Sequence, residues 1–486
     1  MITYKYNPTI GIEVHVELNT KSKMFCSCLN DPDEKNPNLN ICSICTAQPG
    51  TLPVINQEAV KKTIKIGLAL NCQIEENSFF ERKNYFYPDL PKGYQISQYQ
   101  TPFCKNGFLE INGKKIRIKR IHLEEDTARL IHEKDCSLVD FNRAGIPLME
   151  LVTEPDLNSA KEARDFAKEL HLIMHYLNIS DADMEKGQMR VEVNISLSKE
   201  KEKLGTKVEI KNLNSFRVVE RSIEYEIERQ IKLLEQGKKI IQETRGWENT
   251  KEITVSQREK EEAHDYRYFP EPDLPPLSIF SETINEIRSQ IPELPHERRE
   301  RLKREYKLDE KSAEFFVYNK NLGEYFEKTI SELPPNLSRE NLVKLIKLTS
   351  NYIITDLQRL LKEELMIGKD FLITPENFAE FITLIYQEEI SSKIAKQVLE
   401  EMFKTGADPS HIIEEKNLIE IIDEKEIEKI IKEIILKNEK AVEDFKKGKE
   451  NAFQFLIGQV MAKTQGKASL EITNNLLKKF LLNINS

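Results

Sequence analysis

Apolar and polar residues alternate along Ile10-Gly11-Ile12-Glu13-Val14-His15-Val16-Glu17-Leu18, with every even position apolar and Glu, His and Glu at positions 13, 15 and 17. A period of two predicts a strand with one apolar face. Glu13, His15 and Glu17 then form one row, about 6–7 Å apart. Met189-Arg190-Val191-Glu192-Val193-Asn194-Ile195 repeats the pattern, and Thr206-Lys207-Val208-Glu209-Ile210-Lys211 puts Lys207, Glu209 and Lys211 on one face. The spacing becomes helical from about 159 to 177, where Ala163, Phe166, Ala167, Leu170, Ile173 and Met174 share a face and Ser159-x-x-Glu162 is a capping-box signature. A second helix is predicted from about Ser215 to Gln236, with Phe216, Val219, Ile223, Ile227, Ile231 and Leu234 in its stripe and Gly237 as its stop. Two such helices over a mainly antiparallel sheet predict an α+β domain.

The pattern changes near Ile291-Pro292-Glu293-Leu294-Pro295, where two prolines end the strand-rich region. Helical spacing dominates from there on. Ser331-Glu-Leu-Pro-Pro-Asn336 reads as an internal break, Thr374-Pro375-Glu376-Asn377 as a helix start, and Thr405-Gly406-Ala407-Asp408-Pro409 as another boundary. Three regions are therefore expected: a sheet domain at 1–293, a helical domain at 294–406 and a small helical tail at 407–486.

Composition narrows the classes. The chain has 486 residues, 39% hydrophobic and 31% charged, with a net charge of −9. No global positive field draws nucleic acid, so any RNA contact needs a local patch. One candidate is the stretch from Ile431 to Ser486, where ten Lys face six acidic residues. No apolar run approaches the roughly 18–20 residues of a membrane span. The start of the chain lacks the apolar core of a signal peptide. Seven cysteines, outside any small secreted scaffold, point to a reducing cytoplasm.

Several constellations carry chemistry. Cys26-x-Cys28 and Cys42-x-x-Cys45 have the spacing of a structural zinc knuckle, in which four thiolates close a tetrahedron and leave no position for water. Cys72, Cys104 and Cys136 stand singly and read as packing residues. His122-Leu123-Glu124-Glu125-Asp126 follows the basic strand Lys114–Ile121, whose alternation slips at Arg120-Ile121, as at a bulge that re-aims the acids. Glu150 lies in the apolar stretch Pro147–Val152, which is costly unless the carboxylate binds a metal or pairs with Arg143 or Arg190. Carboxylates and an imidazole on a sheet suit a hard divalent cation and the phosphates it carries, and a solvated sheet face is the competing reading. Two aromatic-proline segments, Asn84-Tyr85-Phe86-Tyr87-Pro88-Asp89-Leu90-Pro91 and Tyr266-Arg267-Tyr268-Phe269-Pro270-Glu271-Pro272-Asp273-Leu274-Pro275, resemble each other and suit either base stacking or loop packing. A phosphate-binding Gly-x-x-x-x-Gly-Lys-Ser/Thr loop and a Gly-x-Ser-x-Gly elbow are both missing.

The stretches at 10–18 and 208–216, Arg-Lys-Asn-Tyr-Phe-Tyr-Pro-Asp at 82–89, Gly-Tyr-Gln-Ile-Ser-Gln at 93–98, His-Leu-Glu-Glu-Asp at 122–126, Asp-Tyr-Arg-Tyr-Phe-Pro-Glu-Pro-Asp at 265–273, Ser-Ser-Lys-Ile-Ala-Lys at 391–396 and Phe-Leu-Ile-Gly-Gln at 455–459 resemble one family. It is the B subunit of the bacterial and organellar aspartyl/glutamyl-tRNA(Asn/Gln) amidotransferase (the GatB family). The resemblance implies a cradle domain, a helical domain and a tail similar to the YqeY module. It implies ATP-dependent phosphorylation of the Glu or Asp misattached to tRNA(Gln) or tRNA(Asn). Amidation follows, with ammonia from the glutaminase (A) subunit and with the small C subunit as further partner. It maps a magnesium and ATP site onto Glu13, His15, Glu125 and Glu150, with Glu124 and Glu192 nearby. Beside that site Lys207, Lys211 and Arg143 are expected as cofactor-binding cations, the two lysines neutralising phosphate charge or else forming a ladder of surface ion pairs. Many relatives lack the four loop cysteines, so zinc at Cys26, Cys28, Cys42 and Cys45 is a variable feature of the family. Two other classes are weighed beside it: a non-catalytic tRNA-binding subunit, and a metal-dependent hydrolase acting alone.

Overall fold

The structure, a computed structural model, describes residues 6–200, 203–259, 265–361, 371–416, 418, 424–446, 449–464, 468 and 470–483. The chain forms two compact units, Met1–Pro295 and His296–Ser486. In the first, nine strands make one sheet: β1 (Asn7–Glu17), β2 (Gln73–Ile74), β3 (Cys104–Ile111), β4 (Lys114–Glu125), β5 (Pro147–Thr153), β6 (Met189–Ser198), β7 (Val208–Leu213), β8 (Glu243–Glu248) and β9 (Ile253–Glu259). Their spatial order is β9-β8-β7-β6-β1-β5-β4-β3-β2. Every pair is antiparallel except β7 with β8. One face is apolar: Ile10, Ile12, Val14 and Val16 of β1 are buried with Met149, Leu151, Val191 and Val193. Helices α1 (Gln57–Ala69), α2 (Ala160–Tyr176) and α3 (Phe216–Glu235) pack on the sheet. As the capping signature predicts, the Ser159 hydroxyl accepts from Glu162 N–H. Helix α3 ends at Gly237, φ +72°, where Lys238 N–H bonds Leu233 C=O and Gly237 N–H bonds Leu234 C=O in the six-residue closure that favours glycine.

A bulge in β4 decides which side chains reach the polar face. Val152 pairs with Arg120 and Thr153 with Ile118, so Lys119 is the extra residue. Before it Ile116 and Ile118 are buried, and after it Ile121 and Leu123 are. The parity switch sends His122 and Glu124 to the polar face.

In the second unit, Phe316, Phe326, Phe378 and Phe381 are fully buried, and the first two rings stack at 4.4 Å. Arg339–Tyr352 passes into a π-helical turn, Ile353–Leu357. The helix Pro409–Glu415, which the sequence reading assigns to the tail, packs on Pro375–Tyr386 and Ser392–Thr405. A separate apolar cluster begins at Ile427 and includes Ile431, Leu456, Val460, Leu477 and Leu481. No helix among the described residues is long and apolar enough to cross a membrane.

Candidate active site

Strand register builds a polar row across the middle of the sheet. His15 lies opposite Glu150 on one side and Arg190 on the other, and Glu150 lies opposite His122. His15 Nε2 is 3.4 Å from Glu150 and 3.9 Å from Glu124. His122 Nε2 is 3.3 Å from Glu150 and 3.7 Å from Glu124. One step along, Glu13 lies opposite Glu192, and Asn194 opposite Glu209. Asn194 Nδ2 donates to Glu13 at 2.7 Å, and Lys211 Nζ lies 2.8 Å from Glu192 and 3.7 Å from Glu209. Two donor sets result, His15–Glu124–Glu150 and Glu13–Glu192–Glu209, each with ligand atoms within 4.8 Å of one another.

These sets fit magnesium. Five carboxylates and one imidazole are a mainly oxygen set of the kind hard cations take. His122 Nδ1, Arg120 Nε and Asn194 Oδ1 are buried with no hydrogen-bond partner among the described residues. Beside two clustered donor sets, these atoms are available to a bound ion, its water or a phosphate oxygen. Charge is held ready as well. Burial raises the carboxyl of Glu150, but His122 and His15 hold it well below the usual range. Burial lowers His15, but the hydrogen bond and charge of Glu150, with Glu192 and Glu124, raise it to about 9. His122 is likewise raised against burial by Glu150 and Glu124.

Several expected residues lie elsewhere. Glu125 is not brought to Glu13, His15 and Glu150. The bulge and the alternation of β4 send it to the side of Leu123, where its carboxylate takes Ile96 N–H at 3.0 Å and Lys92 Nζ at 2.7 Å. There it lines a cavity of ≈ 290 Å³ with Cys26 and Cys45. Glu17, at the end of its row, hydrogen-bonds to Asp126; burial, then the charge of Asp126, pushes it up to about 8. Arg143 bonds the carbonyls of Thr127 and Ala128, and Arg190 pairs with Asp126 at 2.6 Å, so neither is the partner of Glu150. That partner is Arg120, at 3.6 Å, together with the two imidazoles. Lys207 is exposed just before β7 and stays outside the acidic groups.

Sequence reasoning missed Lys83. It lies on the short strand Glu81–Asn84; burial lowers its ammonium, and the charges of Glu124 and Glu150 raise it by more. Its only signal was a cation two residues from a glutamate on an alternating stretch, which is common on surfaces. The two look-alike aromatic segments meet: Asn84 N–H bonds Tyr266 C=O at 2.9 Å, and the Tyr85 and Tyr266 rings pack edge to face at 6.1 Å.

The four knuckle cysteines converge, with sulfurs within 4.8 Å of one another. Cys42 N–H donates to Cys45 Sγ at 3.1 Å, and the fully buried Lys23 ammonium lies 3.9 Å from the same sulfur. The Cys26 hydrogen bond lowers Cys45 to about 5 against burial, aided by Lys23. Four close sulfurs beside a buried ammonium fit zinc. Cys72 and Cys104 are packing residues, but Cys136 is exposed on the hairpin at 129–140.

Residues 8–285 match the family model described as GatB/GatE catalytic domain, and residues 325–481 match one described as GatB domain. The aspartyl/glutamyl-tRNA(Asn/Gln) amidotransferase B subunit of Thermotoga maritima is 49% identical over 488 residues, covering 98% of this chain and 99% of the relative. Proteins of the same name from Thermoanaerobacter pseudethanolicus and Caldicellulosiruptor saccharolyticus are each 48% identical over the same shares.

Proposed function

The chain belongs to the family of aspartyl/glutamyl-tRNA(Asn/Gln) amidotransferase B subunits, and from that membership we propose that its acidic sheet face activates the carboxyl group of a misattached amino acid. The chain is the ligase half of a tRNA-dependent amidotransferase. A free carboxylate resists ammonia because oxide or hydroxide leaves poorly. Transfer of the γ-phosphoryl group of ATP to a carboxylate oxygen gives an acyl phosphate and ADP. Ammonia then attacks the acyl carbon, inorganic phosphate leaves, and the side chain becomes an amide. Such a transfer needs alignment and charge more than covalent help.

His15, Glu124 and Glu150 would hold one magnesium ion, and Glu13, Glu192 and Glu209 a second. Magnesium neutralises phosphate oxygens when bound. Lys83, Lys211 and Arg120 ring the acids with fixed positive charge that draws in phosphate. Asn194 fixes the Glu13 carboxylate, and His122 fixes Glu150. The knuckle around Cys26, Cys28, Cys42 and Cys45 carries a structural zinc. The partners are a glutaminase (A) subunit that delivers ammonia, the small C subunit, and tRNA(Gln) or tRNA(Asn) bearing Glu or Asp, in the bacterial cytoplasm. Residues 1–293 do this chemistry, and the basic tail contacts the RNA backbone. What supports the reading is one observation: strands β1, β4, β5, β6 and β7 bring their acids to a single face.

The test is amide formation on Glu-tRNA(Gln) and Asp-tRNA(Asn) by the reconstituted complex with ATP and glutamine. Glu150→Ala is expected to abolish it while tRNA binding persists. Full activity in that variant would leave a tRNA-binding protein without this site.

A further inference from the structure

Beside the acidic face, the two aromatic segments close around a groove of ≈ 840 Å³ that includes Tyr85, Phe86, Tyr87, Tyr266, Arg267 and Phe269. Phe86 is 91% exposed, Tyr87 57% and Phe269 43%. Arg82 lies over one face of Phe269, 5.7 Å from its centroid, which leaves the other face open, and clustered ring exposure of this kind marks a binding surface. The backbone beneath them is fixed. Asn84 N–H bonds Tyr266 C=O at 2.9 Å, and Asn84 Nδ2 bonds Arg267 C=O at 2.8 Å. Arg82 grips Glu271 through two bonds of 2.8 Å. Even the most exposed ring has a seat: a Cβ built on Gly93, φ +73°, would come within 3.3 Å of Phe86.

Lys83 joins this groove to the acids. Its ammonium lies 5.2 Å from the centroid of the Tyr266 ring and feels the charges of Glu124 and Glu150. Arg267 is exposed in the groove wall, 3.9 Å from the carboxylate of Asp265 in the same wall, and adds a second cation.

We propose that this groove is a stacking site for the unpaired terminal nucleotides of the substrate RNA, with the rings of Phe86 and Phe269 on base faces and Arg267 near the backbone. The inference rests on the amidotransferase reading above. In that reaction the amino acid whose side-chain carboxyl is amidated is esterified through its α-carboxyl to the ribose of the last nucleotide, so that nucleotide must lie beside the acidic face. Stiff exposed rings with a nearby cation hold unpaired bases without reading their sequence.

The test uses the assembled enzyme and uncharged tRNA carrying a fluorescent adenine analogue at its last position. Binding is expected to quench the analogue, and Phe86→Ala and Phe269→Ala to relieve the quenching. Each variant is expected to weaken binding of intact tRNA about 10-fold and to leave unchanged the binding of tRNA trimmed of its unpaired end. Phe86→Trp restores both signals. Absence of quenching, or equal affinities of wild type and variants for intact tRNA, overturns the proposal. So does failure of the variants to assemble with their partner subunits, which would mark the groove as a protein interface. Amidation by Glu150→Gln at the wild-type rate would instead refute the acidic-face reading, and it leaves the quenching result untouched.

Discussion

Replacing Glu150 by glutamine removes one negative charge from between two imidazoles and a guanidinium. Its carboxylate lies 3.4 Å from His15, 3.3 Å from His122 and 3.6 Å from Arg120. Against burial, Glu150 and the neighbouring Glu192 and Glu124 raise His15 from 6.5 to about 9. The folded state then binds this proton more tightly than the unfolded chain. The resulting stability is complete below pH 6.5 and is lost as pH climbs through about 9. A rise of that size is worth at most about 3 kcal/mol. Trp247, the single tryptophan, is buried in the sheet unit and reports its unfolding. With chelator present, urea unfolding is expected to show the wild type losing about 1–3 kcal/mol more than Glu150→Gln between pH 6 and pH 9.5. Glu17, pushed up to about 8 by burial, titrates in the same window but alike in both. Glu150→Gln removes the strongest of the interactions that raise His15, and its slope should be the shallower for that reason. A magnesium-bound imidazole must be neutral, so added Mg²⁺ should stabilise the wild type more at pH 9 than at pH 6.5. Identical pH slopes in wild type and variant would refute the electrostatic account of the row.

Three other outcomes follow from packing and ligation. Elemental analysis of untagged protein should find about one zinc ion per chain, lost in Cys42→Ser; free reactivity of all four knuckle thiols in metal-replete protein would contradict this. Glu226 is fully buried on α3 and takes bonds from Arg229, Gln230 and Thr254. Glu226→Ala strands these partners and should cost about 3–5 kcal/mol in the Trp247 transition. Gly107→Ala would set a Cβ 2.3 Å from Cys72 Sγ and 2.6 Å from Leu70 C=O. Because a backbone oxygen cannot rotate away, a loss of about 1–3 kcal/mol is expected by the same assay.

Local signals in the chain were legible, and non-local ones were not. The alternation at 10–18 was enough to predict β1, the Ser159 capping box marked the start of one helix, and the apolar stripe placed the other from about Ser215, whose side chain caps it. The cysteine spacing announced a converging cluster because both pairs are local. Which acids meet depends on register between strands over a hundred residues apart, and alternation within one strand carries no register. Glu124 and Glu125 are adjacent, so alternation alone puts them on opposite sides, and a single bulge residue, Lys119, decides which of the two joins the polar face. Lys83 was invisible for the same reason: its partners come from β4 and β5. The likeness between the two aromatic segments was visible, but their pairing spans 182 residues, from Asn84 to Tyr266.

If the acids gathered on this face direct phosphorylation of the substrate's own carboxyl group, an oxygen atom of that group must end in phosphate. A heavy-oxygen label placed in the side-chain carboxylate of Glu-tRNA(Gln) can be followed through one turnover by the complete enzyme. One labelled oxygen is expected to leave in inorganic phosphate as the amide forms, and Glu150→Gln is expected to suppress both products together. Amide formed with unlabelled phosphate would contradict carboxyl phosphorylation at this site.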